Sequence, residues 1–264
     1  MVADSEQAAH SQGNGKIIIN VHDLWKAFGS LQVLKGLTLE VFEGETLVIL
    51  GRSGVGKSVL LKQIIGIDKP DRGYVEIFGE RLAAWSQSKR ARAKDKIGML
   101  FQGSALFDSM NVGENTAFYL RQHESELSEK EIKKRVDEAL EMVGLEGVQE
   151  KMPSELSGGM RKRAALARAI VYRPRILLYD EPTTGLDPIT AMQINDLINS
   201  TKKELNTTTI VVTHDIRSAI EVGDRLAFHD DGKIAHVALK DKFFDIDDPN
   251  IKLFLDNATI NFHR

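Results

Sequence analysis

Apolar residues along the chain recur in two rhythms, short runs of strand length and longer stretches spaced for one face of a helix. From Lys16 to Glu45 the pattern is β-like, KIIINVHDLW followed by LTLEVFEGE, with a glycine-containing turn between them. TLVILG (46–51) predicts a buried strand that runs straight into a glycine-rich loop, and SVLLKQIIG (58–66) predicts the helix behind it. GYVEIFGE gives another short strand, after which the basic stretch SKRARAKDK leads into a strand at IGMLFQ (97–102). Residues from about 103 to 172 read as mostly helical. In SEKEIKKRVDEALEMVGL, Ile132, Val136, Leu140 and Val143 recur at helical spacing, and Ser128 with Glu131 forms a capping box. Beyond Pro174 strand and helix alternate again, through RILLYDEP, ITAMQINDLINSTKKEL, TTIVVTHD and RLAFHDDGKIAHV.

Strands alternating with helices imply an α/β fold with a mainly parallel sheet and helices packed on it. The helical middle, about 103–172, reads as an insertion in a domain spanning 17–240. The polar N-terminal MVADSEQAAHSQGNGK lacks an apolar signal core and predicts a flexible tail over 1–16. The remaining 241–264 form a C-terminal extension whose Phe/Ile/Leu pattern suits packing on its own chain or on a neighbour; the pattern does not choose. Apolar residues at 42% and charged residues at 28% fit a soluble globular protein with a substantial core. A net charge of -3 argues against nucleic acid as the main partner, which usually selects a basic excess. The absence of cysteine excludes disulfides and fits a cytosolic setting. No apolar run approaches the roughly 18 residues that cross a bilayer, so a role at a membrane needs something else to hold the chain there.

The strongest chemical signal is GRSGVGKS, residues Gly51, Arg52, Ser53, Gly54, Val55, Gly56, Lys57 and Ser58, with Val59 opening the helix. It fits G-x-x-x-x-G-K-[ST] between a strand and an apolar helix, the setting in which that loop cradles nucleotide phosphates. Glycines let the backbone wrap so that successive N–H groups point at the phosphates. Lys57 reaches the β and γ phosphates, and the Ser58 hydroxyl is a ligand for Mg²⁺. RILLYDEP ends a strand in Asp180, suited to the Mg²⁺ shell, and Glu181, suited to polarising an attacking water. Gln102 offers an amide oxygen to Mg²⁺ or to the water, and His214, closing TIVVTHD, can donate to the γ-phosphate. Glu181, His214 and Lys57 are therefore the candidate catalytic residues. Phe28 is the candidate to stack on the adenine, with Trp25 its competitor and a core position the alternative for either.

LSGGM raises a second phosphate seat. Ser157 reads as a helix N-cap, and Gly158 and Gly159 keep side chains clear of an approaching phosphate, which the helix dipole and free N–H groups would attract. One glycine loop already cradles one triphosphate. A second donor surface becomes useful when it closes over the ATP held by another copy, which predicts a head-to-tail homodimer with two ATPs in its interface. The alternative is that Arg161, Lys162, Arg163 and Arg168 merely make a solvated or nucleic-acid-facing basic helix.

GRSGVGKS, Gln102, LSGGM, LLYDEP, TGLD at 184–187 and His214 occur in an order that resembles the ATP-binding-cassette (ABC) ATPases, across essentially residues 17 to 240. The resemblance implies a P-loop NTPase fold: a RecA-like core, an N-terminal β subdomain and an inserted α-helical subdomain carrying LSGGM. It implies ATP and Mg²⁺ as cofactors, an integral membrane permease as partner, and a peripheral location on the cytoplasmic face of the inner or plasma membrane. It also places Asp187 at the nucleotide interface, supporting communication between the two sites. Met160 departs from the family pattern, which has glutamine there. LSGGM, GKSVLLK and GSALFDSMNVGEN together look like the ATPases of Mla-type phospholipid transporters, which implies an MCE-domain lipid carrier as a further partner. In that setting Leu106, Phe107, Met110 and Val112 would lie on the surface and grip a helix of the membrane partner, unless they are core of the subdomain. A transport ATPase for another cargo and a soluble ABC-type ATPase are the competing functions. The second usually carries coiled-coil insertions or fused cassettes, absent here.

Overall fold

The computed structural model describes residues 15–82 and 96–260. The expected tail up to Asn14, and the basic stretch from Ser88 to Asp95, lie outside the described residues. The described residues fall into two compact units, one from Asp95–Thr207 and one built from the segments on either side of it.

In the outer unit, β1 (Ile17–Phe28) and β2 (Leu31–Phe42) pair antiparallel, from Ile17 opposite Phe42 to Phe28 opposite Leu31. The turn falls at Gly29, and β2 begins earlier than LTLEVF indicates because Gly36 lies inside the strand. There it takes φ +80 as the extra residue between two pairs, Leu24 with Leu37 and Trp25 with Lys35. It is a bulge, and a Cβ on it would stand 2.9 Å from Asp23 Oδ1. β3 (Thr46–Leu50) is buried throughout and leads into α1 (Lys57–Ile64). β4 (Arg72–Ile77) and β5 (Glu80–Arg81) complete an antiparallel sheet ordered β2-β1-β4-β5, the expected N-terminal β subdomain.

The inner unit starts with β6 (Ile97–Leu100) and continues through α2 (Val112–His123), α3 (Glu129–Met142) and α4 (Gly158–Ile170) to β7 (Ile176–Asp180) and α5 (Pro188–Leu205). Each helix is started by a side chain that satisfies an otherwise orphaned N–H: Asn111, Ser128, Ser157 and Asp187 in turn. Ser128 and Glu131 bond reciprocally, and Ile132, Val136, Leu140 and Val143 are buried, as their spacing predicts. β6 and β7 run parallel from Ile97 opposite Ile176 to Leu100 opposite Tyr179. α4 packs against β6 at backbone distance, since a Cβ on Gly98 would meet the Ala169 carbonyl at 2.5 Å. The buried small residues Ala164, Ala165, Ala167 and Ala169 of α4 allow that approach.

The chain returns to the outer unit with β8 (Thr208–Thr213), α6 (Ile216–Val222), β9 (Arg225–Asp230) and β10 (Lys233–Leu239). β3 lies parallel between β8 and β9, and β10 closes antiparallel on β9. The result is the α/β architecture with parallel pairing that the alternation implied. At the foot of β3, Arg225 reaches Glu45 at 3.0 Å, with both side chains at or below 10% exposure. Burial pushes the Glu45 carboxyl above its usual range, while the Phe42 amide and Arg225 oppose that shift. The Asp224 carboxylate accepts from the Thr46 amide beside this pair, so the entry to β3 is tied at two points. The C-terminal α7 (Lys240–Phe243) and α8 (Pro249–Ile260) fold back on their own chain. Phe243, Ile251 and Phe254 are buried on their own chain, with the Phe254 ring 5.5 Å from that of Phe228.

Candidate active site

Leu50 of β3 pairs with Thr213 on one side and Phe228 on the other. Gly51 and His214 therefore leave the sheet at one edge, beside His229, which is still within β9. Gly54 and Gly56 adopt φ +84 and +107, a region L-residues avoid. At Gly54 an added Cβ meets nothing within 4 Å, so the requirement there is the backbone turn alone. At Gly56 a Cβ would also stand 2.8 Å from Val33 Cγ1, and at Gly51 one would stand 2.5 Å from the His229 carbonyl oxygen. Lys57 is buried and its Nζ donates to the carbonyls of Gly51 at 2.7 Å and Arg52 at 3.0 Å, arching over its own loop. Arg52, Ser53 and Gly54 are exposed, and Val55, Gly56, Ser58 and Val59 half-buried. Under the loop, the imidazole of His229 is fully buried and pushed down from 6.5 to about 4 by that burial, with the Lys57 charge adding to the effect. It is a neutral neighbour for the lysine.

His214 is exposed, one residue past the end of β8. Phe28, ending β1, is 51% exposed, with the Lys26 ammonium 5.3 Å from its ring centre. Trp25 is committed to its own sheet: Nε1 donates to Asp23 at 2.8 Å and the Arg72 guanidinium lies 5.2 Å over the ring. Of the two aromatic candidates, Phe28 is the one that offers an open face.

In the inner unit the parallel register places Leu100 opposite Tyr179, so the strand ends that carry Gln102 and the Asp180–Glu181 pair lie at one edge. Asp180 and Glu181 are 5% and 7% exposed, and the Gln102 side chain is exposed. Glu181 takes φ +48, and its Oε2 accepts from Thr184 Oγ1 at 3.2 Å. Lys162 of α4 is buried against both segments. Its Nζ donates to the Gln102 carbonyl and lies 3.5 Å from the Glu181 carbonyl oxygen. Burial pulls the Lys162 ammonium below its usual range, and Asp180 and Glu181 pull it back up.

The start of α4 separates the two signature glycines. Ser157 Oγ accepts from the Met160 amide at 3.3 Å, which leaves its own O–H available as a donor. Gly158 is exposed, and a Cβ on it would make an ordinary 3.5 Å contact with Leu186. Gly159 is buried, and a Cβ on it would stand 2.6 Å from Thr190 Cγ2. Thr190 cannot turn away freely, because its hydroxyl donates to Asp187 at 2.5 Å. Asp187 also accepts from the Ile189 and Thr190 amides, and its carboxyl is held below the usual range by the Thr190 hydroxyl first. α5 passing behind Gly159 is thus a further reason for a glycine there, beside the phosphate clearance expected of both.

Of the basic residues of α4, Arg161 is exposed, Arg163 and Arg168 are half-buried and Lys162 is buried, so they are not a uniformly solvated face. Arg161 donates to the Leu156 carbonyl, Arg163 to that of Val143, and Arg168 to those of Ala105 and Ser104. The segment after Gln102 also differs from the surface reading. Val112 is fully buried at the start of α2, Leu106 and Met110 are half-buried, and Phe107 alone of the four is exposed, at 42%. The cause is Asn115, which sequence reasoning passed over. Fully buried, it accepts from the Phe107 amide and donates to the carbonyls of Phe107, Met110 and Asn111, folding the loop back on itself. A polar residue between Val112 and Ala117, on the inner face of a helix that starts at Asn111, was the available signal.

With this geometry in place, comparison with known proteins identifies the class. Residues 34–184 match the ABC transporter family, and the chain belongs to it. It is 40% identical over 244 residues to a probable ribonucleotide transport ATP-binding protein, mkl, of Mycobacterium leprae, covering 92% of this chain and 70% of the relative. It is 38% identical over 259 residues to the Arabidopsis thaliana chloroplastic protein trigalactosyldiacylglycerol 3, covering 92% of this chain and 74% of that one. The ATP-binding cassette MJ0796, solved as a dimer in a post-hydrolysis state with ADP and Pi, superposes with a TM-score of 0.77 at 33% identity, over 84% of this chain and 99% of that one. The chain is an ATP-hydrolysing ABC ATPase, the nucleotide-binding subunit of a membrane transporter. Among the described residues no helix is long and apolar enough to cross a membrane.

The packing at Gly159 is directly testable. Gly159→Ala is expected to destabilise the fold by about 1–3 kcal/mol, the usual range for overpacking a tight contact. Adding Thr190→Ser, which removes Cγ2 and keeps the hydroxyl on Asp187, should recover most of that loss in urea denaturation. Equal loss in the single and double variants would place the strain elsewhere.

Proposed function

We propose that this ATPase works as a head-to-tail homodimer that clamps two ATPs and drives a permease moving phospholipid, with an MCE-domain protein as the carrier. The observation that carries the clamp is the open end of α4. Ser157 and Gly158 are exposed there, and a side chain at Gly158 would meet only an ordinary contact from its own chain. A helix N-terminus with a hydroxyl and a bare glycine suits an anion arriving from outside. A partner's triphosphate is such an anion, and the dimeric MJ0796 cassette offers the parallel.

In this reading Gly51–Ser58 and Val59 wrap the triphosphate, and Lys57 exchanges its loop carbonyls for the β and γ phosphates. Phe28 stacks on the adenine. Glu181 polarises the attacking water, His214 donates to the γ-phosphate, and Gln102 orients the water. Asp187, held rigid by Thr190 at the start of α5, carries the state of one site toward the other. The hydroxyl of Ser58, the amide of Gln102 and the carboxylate of Asp180 are hard oxygen donors of the kind Mg²⁺ takes, and these residues would hold the ion. When bound, Mg²⁺ neutralises charge on the phosphate oxygens.

The phospholipid cargo rests on LSGGM together with GKSVLLK and GSALFDSMNVGEN, and on a relative named for a diacylglycerol lipid. The mkl relative is named for ribonucleotide transport, which makes another cargo the second reading. Phe107, exposed beside the buried Asn115 loop, is the residue offered to a helix of the permease.

Glu181→Gln should bind ATP within about three-fold of the parent while turnover falls by about 10²–10⁴-fold, the span general base catalysis supplies; hydrolysis at the parental rate would remove Glu181 from that role. Purification of the intact complex from membranes should bring a permease and an MCE-domain protein with the chain. A complex holding a permease and no such carrier would favour the other cargo.

A further inference from the structure

Five described residues of the inner unit other than glycine sit in the left-handed region: Arg173 and Asn206, which follow helices α4 and α5, and three loop residues, Ser104 at φ 64, Ala105 at φ 51 and Glu181 at φ 48. Each such residue costs on the order of 1–2 kcal/mol and persists only where its surroundings hold it. The backbone oxygens of all three loop residues are held from one helix. Arg168 donates to the Ala105 carbonyl at 2.6 Å and to that of Ser104 at 3.3 Å. Lys162, two helical turns nearer the Ser157 cap, holds the carbonyl of Gln102 and stands 3.5 Å from that of Glu181.

Lys162 is an uncommon placement for an ammonium. It is 5% exposed, on the face of α4 that carries the buried alanines. A buried cation needs compensation, which here comes from two main-chain oxygens and from the nearby charges of Asp180 and Glu181. The direction of a carbonyl fixes the peptide plane behind it, and that plane sets where the residue's side chain can point. One cation therefore orients two peptide planes, Gln102–Gly103 and Glu181–Pro182.

We infer that Lys162 is a positioning residue for hydrolysis: by holding the Gln102 and Glu181 carbonyls on α4 it aims both side chains, and it ties their geometry to the helix whose N-terminus makes the clamp. The inference rests on the reading of Glu181 as the group that activates water. Binding of ATP by the glycine loop does not depend on Lys162, so its loss falls on the chemical step.

The test compares ATP turnover by the full chain carrying Lys162→Met, which keeps the stem and removes every donor, with Lys162→Arg, which keeps the charge and the donors. Lys162→Met should lower kcat by about 10–100-fold, the cost of a misplaced catalytic group, with KM for ATP within about three-fold. Lys162→Arg should restore kcat to within about three-fold of the parent, on the same geometric ground. A Lys162→Met chain with parental kcat, a loss carried by KM instead, or a Lys162→Arg chain as slow as Lys162→Met would each overturn the inference. If Lys162→Met does not fold, Lys162→Gln takes its place, its shorter amide lowering kcat without raising KM; parental kcat there overturns the inference equally. Glu181→Gln, assayed alongside, separates the two levels. If it hydrolyses ATP at the parental rate, the reading of Glu181 and the inference fail together. If it is inactive while Lys162→Met turns over normally, only the inference fails.

Discussion

Parallel strands in register bring their carboxyl ends to one edge, and the chemistry of this chain depends on that alignment. Leu50 stands opposite Thr213 and Phe228, so the glycine loop and His214 leave their sheet together. Leu100 stands opposite Tyr179, so Gln102 and the Asp180–Glu181 pair do the same in the inner unit. A slip of one residue in either pairing would turn every side chain of the slipped strand to the opposite face and carry the loops out of line. TLVIL and ILLYD are buried at every position, so close packing of each side chain against its own neighbours on both faces holds the register. Core packing and site geometry are therefore set by the same residues.

α4 makes a second link between structure and function. Its alanines let it lie on β6, its basic residues collect main-chain oxygens from the loops around it, and its first turn stays open at Ser157 and Gly158. Gly159 presses that first turn against Thr190, whose hydroxyl in turn fixes Asp187. Anything that binds at the open end of α4 consequently meets a surface braced from behind by the start of α5. In the proposed clamp, such bracing would carry a contact with a phosphate to Asp187 and to the loop carrying Gln102.

The elements were legible wherever a local rule sufficed. The period of Ile132, Val136 and Leu140, the Ser128–Glu131 box and the Ser157 cap all follow from neighbours a few residues apart. What sequence reasoning missed depends on distant neighbours. The segment between DLW and LTLEVF reads as a glycine-containing turn, and only the pairing of Lys35 with Trp25 and of Leu37 with Leu24 makes Gly36 a bulge. Val112 reads as part of an exposed apolar run, and only Asn115 folding the preceding loop buries the start of α2. Lys162 reads as one of several solvated charges, because nothing local says that Gln102 and Glu181 present their carbonyls to it. Gly158 and Gly159 look equivalent in LSGGM, and α5 alone tells them apart.

The account turns on whether an ATP bound by one copy is completed by another. The most direct measurement is the solution mass of the Glu181→Gln chain, by light scattering after gel filtration, with and without saturating ATP and Mg²⁺. The account predicts twice the mass of a single chain with nucleotide and a return to the single mass when ATP is removed. A chain saturated with ATP and Mg²⁺ that keeps the mass of one copy would contradict it.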